Sequence, residues 1–281
     1  MIHVENLCFR YPDGSKVLDN MSFNIKKGEF VAIIGQNGAG KTTLLKHFNG
    51  LLKPTSGRVL INGLDITRNR TSDLAQHIGF LFQNPDHQIF CPTVYDEIAF
   101  GLKKTGCSEE EIDKLVKKAA YTVGLSGCLE SQPFTLSKGQ RQRVALASVL
   151  AMQTEVLVLD EPTTGQDYRE GVEIMELVMD LNKQGKTIVM VTHDMELVAM
   201  YARRVIILKN GSVSEDGPSR KVLADTVKLS EAKLDSPQIY QLAAKFSRQN
   251  IFKEKMNAEE MFEEILRLTE RKRGVANVSN G

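Results

Sequence analysis

The residues Gly35-Gln36-Asn37-Gly38-Ala39-Gly40-Lys41-Thr42 follow the apolar run Phe30 to Ile34 and precede Leu44 and Leu45, so a G-x-x-x-x-G-K-T loop joins a strand to a helix. Such a loop wraps a polyphosphate. Its glycines let successive backbone N–H groups point inward, and the helix N-terminus adds positive potential. Gly35, Asn37, Gly38, Gly40 and Thr43 belong to this cradle, Lys41 is placed to reach β- and γ-phosphates, and the Thr42 hydroxyl is an oxygen ligand of the kind Mg2+ prefers.

A second chemical feature is Val156-Leu157-Val158-Leu159-Asp160-Glu161, a buried apolar strand ending in two carboxylates at the edge where ligands of open α/β sheets bind. Asp160 suits a Mg2+ shell, and Glu161 suits the orientation of an attacking water, because phosphoryl transfer is mostly positioning and charge stabilisation. Alone, such a strand end is an ordinary solvated one; beside a phosphate loop it becomes specific. A third feature, Leu136-Ser137-Lys138-Gly139-Gln140, contains a capping box of Ser137 and Gln140 with a small residue, Gly139, that permits close approach. It reads either as simple helix capping or as a second anion site, and a second site hints at a nucleotide shared between two copies.

The elements that must position these groups change character along the chain. Ile2 to Phe9, Met21 to Ile25, Phe30 to Ile34 and Arg58 to Ile61 are short β-rich segments separated by turn residues, a spacing that suggests antiparallel strands around one Gly-rich turn. At Ser108 a capping box with Glu111 opens a helix through Ile112, Leu115, Val116, Ala119, Ala120 and Val123, closed by Gly124. A helix from Thr135 to about Met152, a strand at Glu155 to Leu159, a helix from about Arg169 to Asn182 and strands at Thr187 to Val191 and Val205 to Leu208 then alternate, which indicates a parallel sheet covered on both faces. After Asp216-Gly217-Pro218 the chain is helical and charged. Its last helix runs from the N-cap Asn257 to Arg271-Lys272-Arg273 with Met261, Ile265 and Leu268 on one face, and the tail from Val275 to Gly281 is expected to be disordered.

Taken together, these motifs resemble the ATP-binding cassette (ABC) ATPases. The phosphate loop, Leu136 to Gln140 as the signature motif and Val156 to Glu161 as Walker B stand in that family's order. Gln83 resembles the Q-loop glutamine, Gly165-Gln166-Asp167 the D-loop and Thr192-His193-Asp194 the H-loop, and Tyr11 matches the aromatic that stacks on adenine. The resemblance implies an α/β P-loop NTPase with a RecA-like parallel sheet core, an antiparallel β subdomain, a helical subdomain over about 84–150 and a C-terminal helical extension. It places the cassette at 1–217 and the extension, with a possible role in dimerisation, at 218–281. It also implies ATP and Mg2+ as ligands, with Thr42, Gln83 and Asp160 around the metal and Glu161, His193 and Gln83 as the catalytic set. Two cassettes, identical chains or paralogues, would close head-to-tail over two ATP molecules, with Ser137, Gly139 and Gln140 of one contacting the nucleotide of the other. Lys138 departs from the commoner second glycine of the signature motif, and Gln166 departs mildly in the D-loop.

The segment Phe82-Gln83-Asn84-Pro85-Asp86-His87-Gln88-Ile89-Phe90 with Thr93 to Gly101 is similar to energy-coupling factor (ECF) and cobalt-type importer ATPases, although His87 replaces an acidic residue common there. That similarity implies a transmembrane coupling subunit and a substrate-binding membrane subunit as partners, with the chain peripheral on the cytoplasmic face of the cell membrane. The composition agrees. In 281 residues, 36 Lys+Arg stand against 35 Asp+Glu for a net charge of +1, which lacks the basic footprint of a nucleic-acid ATPase. No apolar run approaches the roughly 18–20 residues of a membrane span, no secretory leader is evident, and Cys8, Cys91, Cys107 and Cys128 are too scattered for a zinc or disulfide framework. Other ABC importers are the alternative; an Asn-Lys-x-Asp base-reading motif for GTP is absent. If the nucleotide is shared, Ser137→Arg should abolish ATP hydrolysis by blocking the facing site, whereas an active monomer carrying it would contradict the shared arrangement.

Overall fold

The computed structural model describes residues 1–248 together with Leu266 and Arg267. The expected helix from Asn257 and the tail from Val275 lie outside the described residues, apart from Leu266 and Arg267, which are helical. In Ile2–Arg10 (β1) the side chains of Ile2, Val4, Leu7 and Phe9 are buried, while His3, Asn6 and Arg10 face outward. The phase of alternation shifts at a bulge between Val4 and Leu7, where Asn6 adopts φ +46°. Lys16–Ile25 (β2) repeats the pattern with Leu18, Met21, Phe23 and Ile25 inward. Alternation of this kind marks a sheet packed on one face only.

Phe30–Gly35 (β3) is different, because all six positions are buried. It leads through the phosphate loop into Lys41–Phe48 (α1), followed by Ser56–Ile61 (β4), Leu64–Asp65 (β5), Thr71–Leu74 (α2) and Ile78–Leu81 (β6). Three helices come next: Val94–Leu102 (α3), Glu109–Thr122 (α4) and Lys138–Ala151 (α5). The chain then alternates through Val156–Asp160 (β7), Tyr168–Lys183 (α6), Thr187–Val191 (β8), Met195–Tyr201 (α7), Arg204–Lys209 (β9) and Ser212–Pro218 (β10). It continues in Ser219–Leu223 (α8), Thr226–Glu231 (α9) and Gln238–Arg248 (α10).

The strands form two sheets, an antiparallel one in the order β2-β1-β4-β5 and a six-stranded one in the order β10-β9-β3-β8-β7-β6. The second is parallel except for β10, which runs antiparallel to β9. One expectation is corrected here: Phe30 to Ile34 does not join the antiparallel strands of the first third but pairs in parallel with β8 and β9. The reason lies in its composition. A continuous apolar run cannot present a polar face to water, so it sits where both faces are covered. Val31 and Ile33 pack toward α1 and the antiparallel sheet, with Leu44, Leu45 and Phe48, while Phe30, Ala32 and Ile34 pack in a second core with α3 to α7. Arg204 ties the sheets together, pairing through two nitrogens with Asp216 at 2.7 Å each and donating from Nη1 to Glu29 at 2.9 Å and to the Asn24 carbonyl at 2.8 Å.

Helix ends follow local chemistry. Ser108 and Glu111 make the expected reciprocal cap of α4, and Gly124 at φ +72° closes it while Leu125 N–H donates to the Ala120 carbonyl at 2.8 Å. Helix α5 starts at Lys138 rather than Thr135, because Pro133–Thr135 forms a single 3-10 turn and the Ser137 cap sets the true beginning. After β10, α8 to α10 pack back on the main core through Leu223, Leu229 and Tyr240, and the Gln238 N–H donates to Glu196 of α7 at 2.7 Å. Phe48 is fully buried at the end of α1, so Phe48→Ala should cost about 3–5 kcal/mol of unfolding free energy in urea titrations.

Candidate functional site

The phosphate loop leaves β3 where no side chain can fit. A Cβ at Gly35 would stand 2.4 Å from the Leu208 carbonyl oxygen of β9, so glycine is required for the loop to turn there. At Gly40, φ is +100° and a Cβ would meet Leu18 at 2.7 Å. Gly40 is also the N-cap of α1 and offers no side chain to its first turn, which leaves N–H groups facing the cleft for a ligand. The Lys41 ammonium donates to the carbonyls of Gly35 at 2.6 Å and Gln36 at 3.0 Å. Its partners are neutral carbonyls rather than a carboxylate. Burial pushes its pKa down, opposed by the charges of Glu161 and Asp160.

The facing wall is the end of β7, where Asp160 and Glu161 are both buried, 5% and 8% exposed. Burial, reinforced by the neighbouring Glu161 charge, raises the Asp160 pKa to about 6. Glu161 adopts φ +50°, which is uncommon for a residue with a side chain, and its N–H donates to the Val191 carbonyl of β8 at 2.8 Å. His193, on the exposed turn after β8, brings Nδ1 to 2.9 Å from Glu161 Oε1. Tyr11, Asn37, Gly38, Gly40, Lys41, Thr42, Thr43, Gln83, Asp160 and Glu161 line one open cleft. Tyr11 is held by an edge-to-face contact with Phe9 at 4.9 Å and a hydroxyl contact with Thr43 Oγ1 at 3.3 Å.

This donor set suits a polyphosphate with Mg2+. Thr42 hydroxyl, Gln83 amide and Asp160 carboxylate are hard oxygen groups on one cleft, and an ammonium and helix N-terminus supply the counter-charge. Ser137, Gly139 and Gln140 are not among the residues lining it. They lie at the start of α5, where Ser137 Oγ accepts from the Gln140 N–H at 3.2 Å and Gln140 Oε1 accepts from the Ser137 N–H at 3.0 Å.

Several residues around the site carry no local signal in the sequence. Val17 and Val191 also line the cleft. Arg141 fastens the segment after Gln83 to α5, donating to Asp86 at 2.7 Å and to the Leu136 carbonyl at 2.6 Å. Gln88 accepts from the Phe82 N–H and donates to the Ala145 carbonyl and Ser148. Buried Glu97 accepts from the N–H groups of Phe90 and Cys91 at 2.9 Å each, forming the turn that presents Phe90. The nearest signal was the helix-start context of Thr93 to Glu97, which does not show that one acid turns inward. Phe90 and Phe100 meet edge-to-face at 4.7 Å on the rim of an apolar groove of ≈ 380 Å³ that also includes Leu51, Phe80, Phe82 and Met152. Phe90 and Leu51 are more than half exposed there. All four cysteines are free thiols, and burial raises the Cys91 thiol to about 11.

Comparison with known proteins gives a consistent picture. The ABC transporter family profile matches residues 18–164. A putative ABC transporter ATP-binding protein of Caldanaerobacter subterraneus is 45% identical over 91% of the chain, which spans only 45% of that relative's length. The energy-coupling factor transporter ATP-binding protein EcfA of Methanocaldococcus jannaschii is 46% identical, covering 86% of the chain and 88% of the relative. Among solved structures, cbiO1 of Clostridium perfringens, described as part of the ABC transporter complex cbiONQ, superposes with a TM-score of 0.74 at 39% identity over 86% of this chain and 98% of its own.

The Asp160 pKa yields a stability expectation. A carboxyl whose folded pKa is raised from 3.8 to about 6 binds more protons folded than unfolded between those values, so it destabilises the fold as pH rises through 6. In metal-free protein, Asp160→Asn should therefore be more stable than the parent at pH 8, by about 2–3 kcal/mol, with the difference gone near pH 4 in urea titrations.

Proposed function

Because this chain belongs to the ABC transporter family, we propose that it hydrolyses ATP to ADP and phosphate as the energy-coupling subunit of an ECF-type importer for a vitamin or a transition-metal ion such as cobalt or nickel. The observation that carries this function is the convergence on one cleft of the phosphate loop and two buried carboxylates, with His193 2.9 Å from the second of them. Lys41, already stripped of part of its water, exchanges its two carbonyl partners for β- and γ-phosphate oxygens. Gly38, Gly40, Thr42 and Thr43 offer backbone and hydroxyl groups to the same phosphates, with Gly35 and Asn37 shaping the loop, and Tyr11 offers its ring to the base. Thr42, Asp160 and Gln83 would hold Mg2+, which would supply charge neutralisation to the polyphosphate. Glu161 orients and polarises the attacking water, and His193 holds Glu161 from the solvent side and reaches toward the γ-phosphate.

The separation of Ser137, Gly139 and Gln140 from this cleft supports a second ATPase subunit, identical or paralogous, whose α5 N-terminus completes the site. Residues 1–217 then form the cassette, with the helical subdomain at about 84–150, and 218–281 form an extension that contributes to dimerisation. Transmembrane coupling and substrate-binding subunits are the further partners. Among the described residues no helix is long and apolar enough to cross a membrane. By its likeness to the energy-coupling factor ATP-binding protein, the chain is assigned to the cytoplasmic face of the cell membrane, and movement across the bilayer to those subunits. The apolar groove rimmed by Phe90 and Phe100 suits the coupling subunit, because a helix end with large apolar side chains would cover it.

Glu161→Gln tests the chemistry. It keeps the shape of the side chain but weakens its pull on water, so Mg-ATP binding by fluorescent nucleotide titration should stay within about twofold while turnover falls by at least about 100-fold. Near-normal turnover would refute the role of Glu161.

A further inference from the structure

Behind the proposed catalytic carboxylate, two glutamine side chains reach across the same seam in opposite directions. Gln142, on α5 and 1% exposed, donates through Nε2 to the Pro162 carbonyl at 3.4 Å. Gln166, on the turn that follows β7, donates through Nε2 back to the Gly139 carbonyl of α5 at 3.5 Å. Both distances are at the long end for hydrogen bonds. In each amide the other atom, Oε1, is buried without a hydrogen-bond partner. The orientation of the amides is set by this arrangement, since turning either one over would put two oxygens face to face.

We propose that Gln142 and Gln166 form a reciprocal amide clasp that positions the turn carrying Glu161 against the signature end of α5. Leaving a buried acceptor unpaired is costly, and a methionine would fill the same space without that cost. What the amides add is directional: each fixes one carbonyl across the seam. The turn needs such fixing, because Glu161 is held at φ +50°, and its neighbour Pro162 has no N–H, so its carbonyl is the backbone handle that residue offers. Gly139 lets the clasp close, since a Cβ there would stand 2.8 Å from Gln166 Oε1. The stem of Lys138 lies over Gly165 on the same seam, so closely that a Cβ at Gly165 would come within 2.7 Å of its Nζ. The chain's two departures from the common motifs, Lys138 and Gln166, thus meet at one place. The clasp thereby links the α5 end, which in the proposed dimer faces the partner subunit, to the turn that carries the water-orienting carboxylate of the same chain.

This inference rests on the ATPase proposal, and both are tested with the full-length chain and Mg-ATP. The unsubstituted protein, Gln142→Met, Gln166→Met and the double variant are compared for kcat, KM, ATP affinity and thermal midpoint. A clasp predicts that each single variant loses about tenfold in kcat with ATP affinity within twofold, and that the double variant loses little more than the worse single one, because the two bonds act as a unit. A purely structural role would move the thermal midpoint and ATP affinity along with kcat. Unchanged kcat in either folded variant, or losses that simply multiply in the double one, would overturn the clasp while leaving the ATPase proposal standing. Gln166, at the rim of the seam, carries the test if Gln142→Met does not fold. Absence of hydrolysis in the unsubstituted protein would overturn the ATPase proposal, and with it the clasp.

Discussion

The burial of two adjacent carboxylates at the end of β7 is the constraint around which the cleft is organised. Removal from water, with the neighbouring Glu161 charge, raises the Asp160 pKa to about 6. The cleft answers with positive potential from the other wall: the Lys41 ammonium and the uncapped N-terminus of α1. A bound metal would complete the neutralisation. In the function proposed above, a polyphosphate with Mg2+ would answer both walls, giving Lys41 anionic partners and the carboxylates a cationic one.

Sheet order makes that confrontation possible. β3 and β7 flank β8 in one parallel sheet, so the phosphate loop and the carboxylates leave the sheet at the same edge, separated by one strand. The intervening strand also takes part, since its Val191 carbonyl receives the Glu161 N–H and the turn after it carries His193. Around this edge, α5 acts as a connecting strut. Arg141 and Gln88 bind it to the segment after Gln83, and Gln142 binds it to the turn after Glu161.

Local signals and long-range pairings were unequally visible beforehand. Ser108 and Glu111, or Ser137 and Gln140, announce helix starts because the reciprocal caps involve residues only three apart. The apolar run Phe30 to Ile34 marks a strand, but its neighbours are not legible locally, since pairing with residues 188–191 and 204–208 depends on contacts far away in the chain. The inward turn of Glu97 and the direction of the Gln142 and Gln166 amides were likewise invisible: a polar residue in a helix or turn does not declare which carbonyl or N–H will lie opposite it.

The amino-acid sequence by itself determined the chemistry available to this protein: a phosphate-binding loop, a carboxylate-ended strand and a capped helix start, each encoded by residues within a few positions of one another. Tertiary structure alone decided which of these share a cleft. It placed Tyr11, Lys41, Gln83 and Glu161 on one surface and left Ser137 and Gly139 elsewhere, because the order of strands in a parallel sheet is set by the burial of entire faces rather than by any local motif.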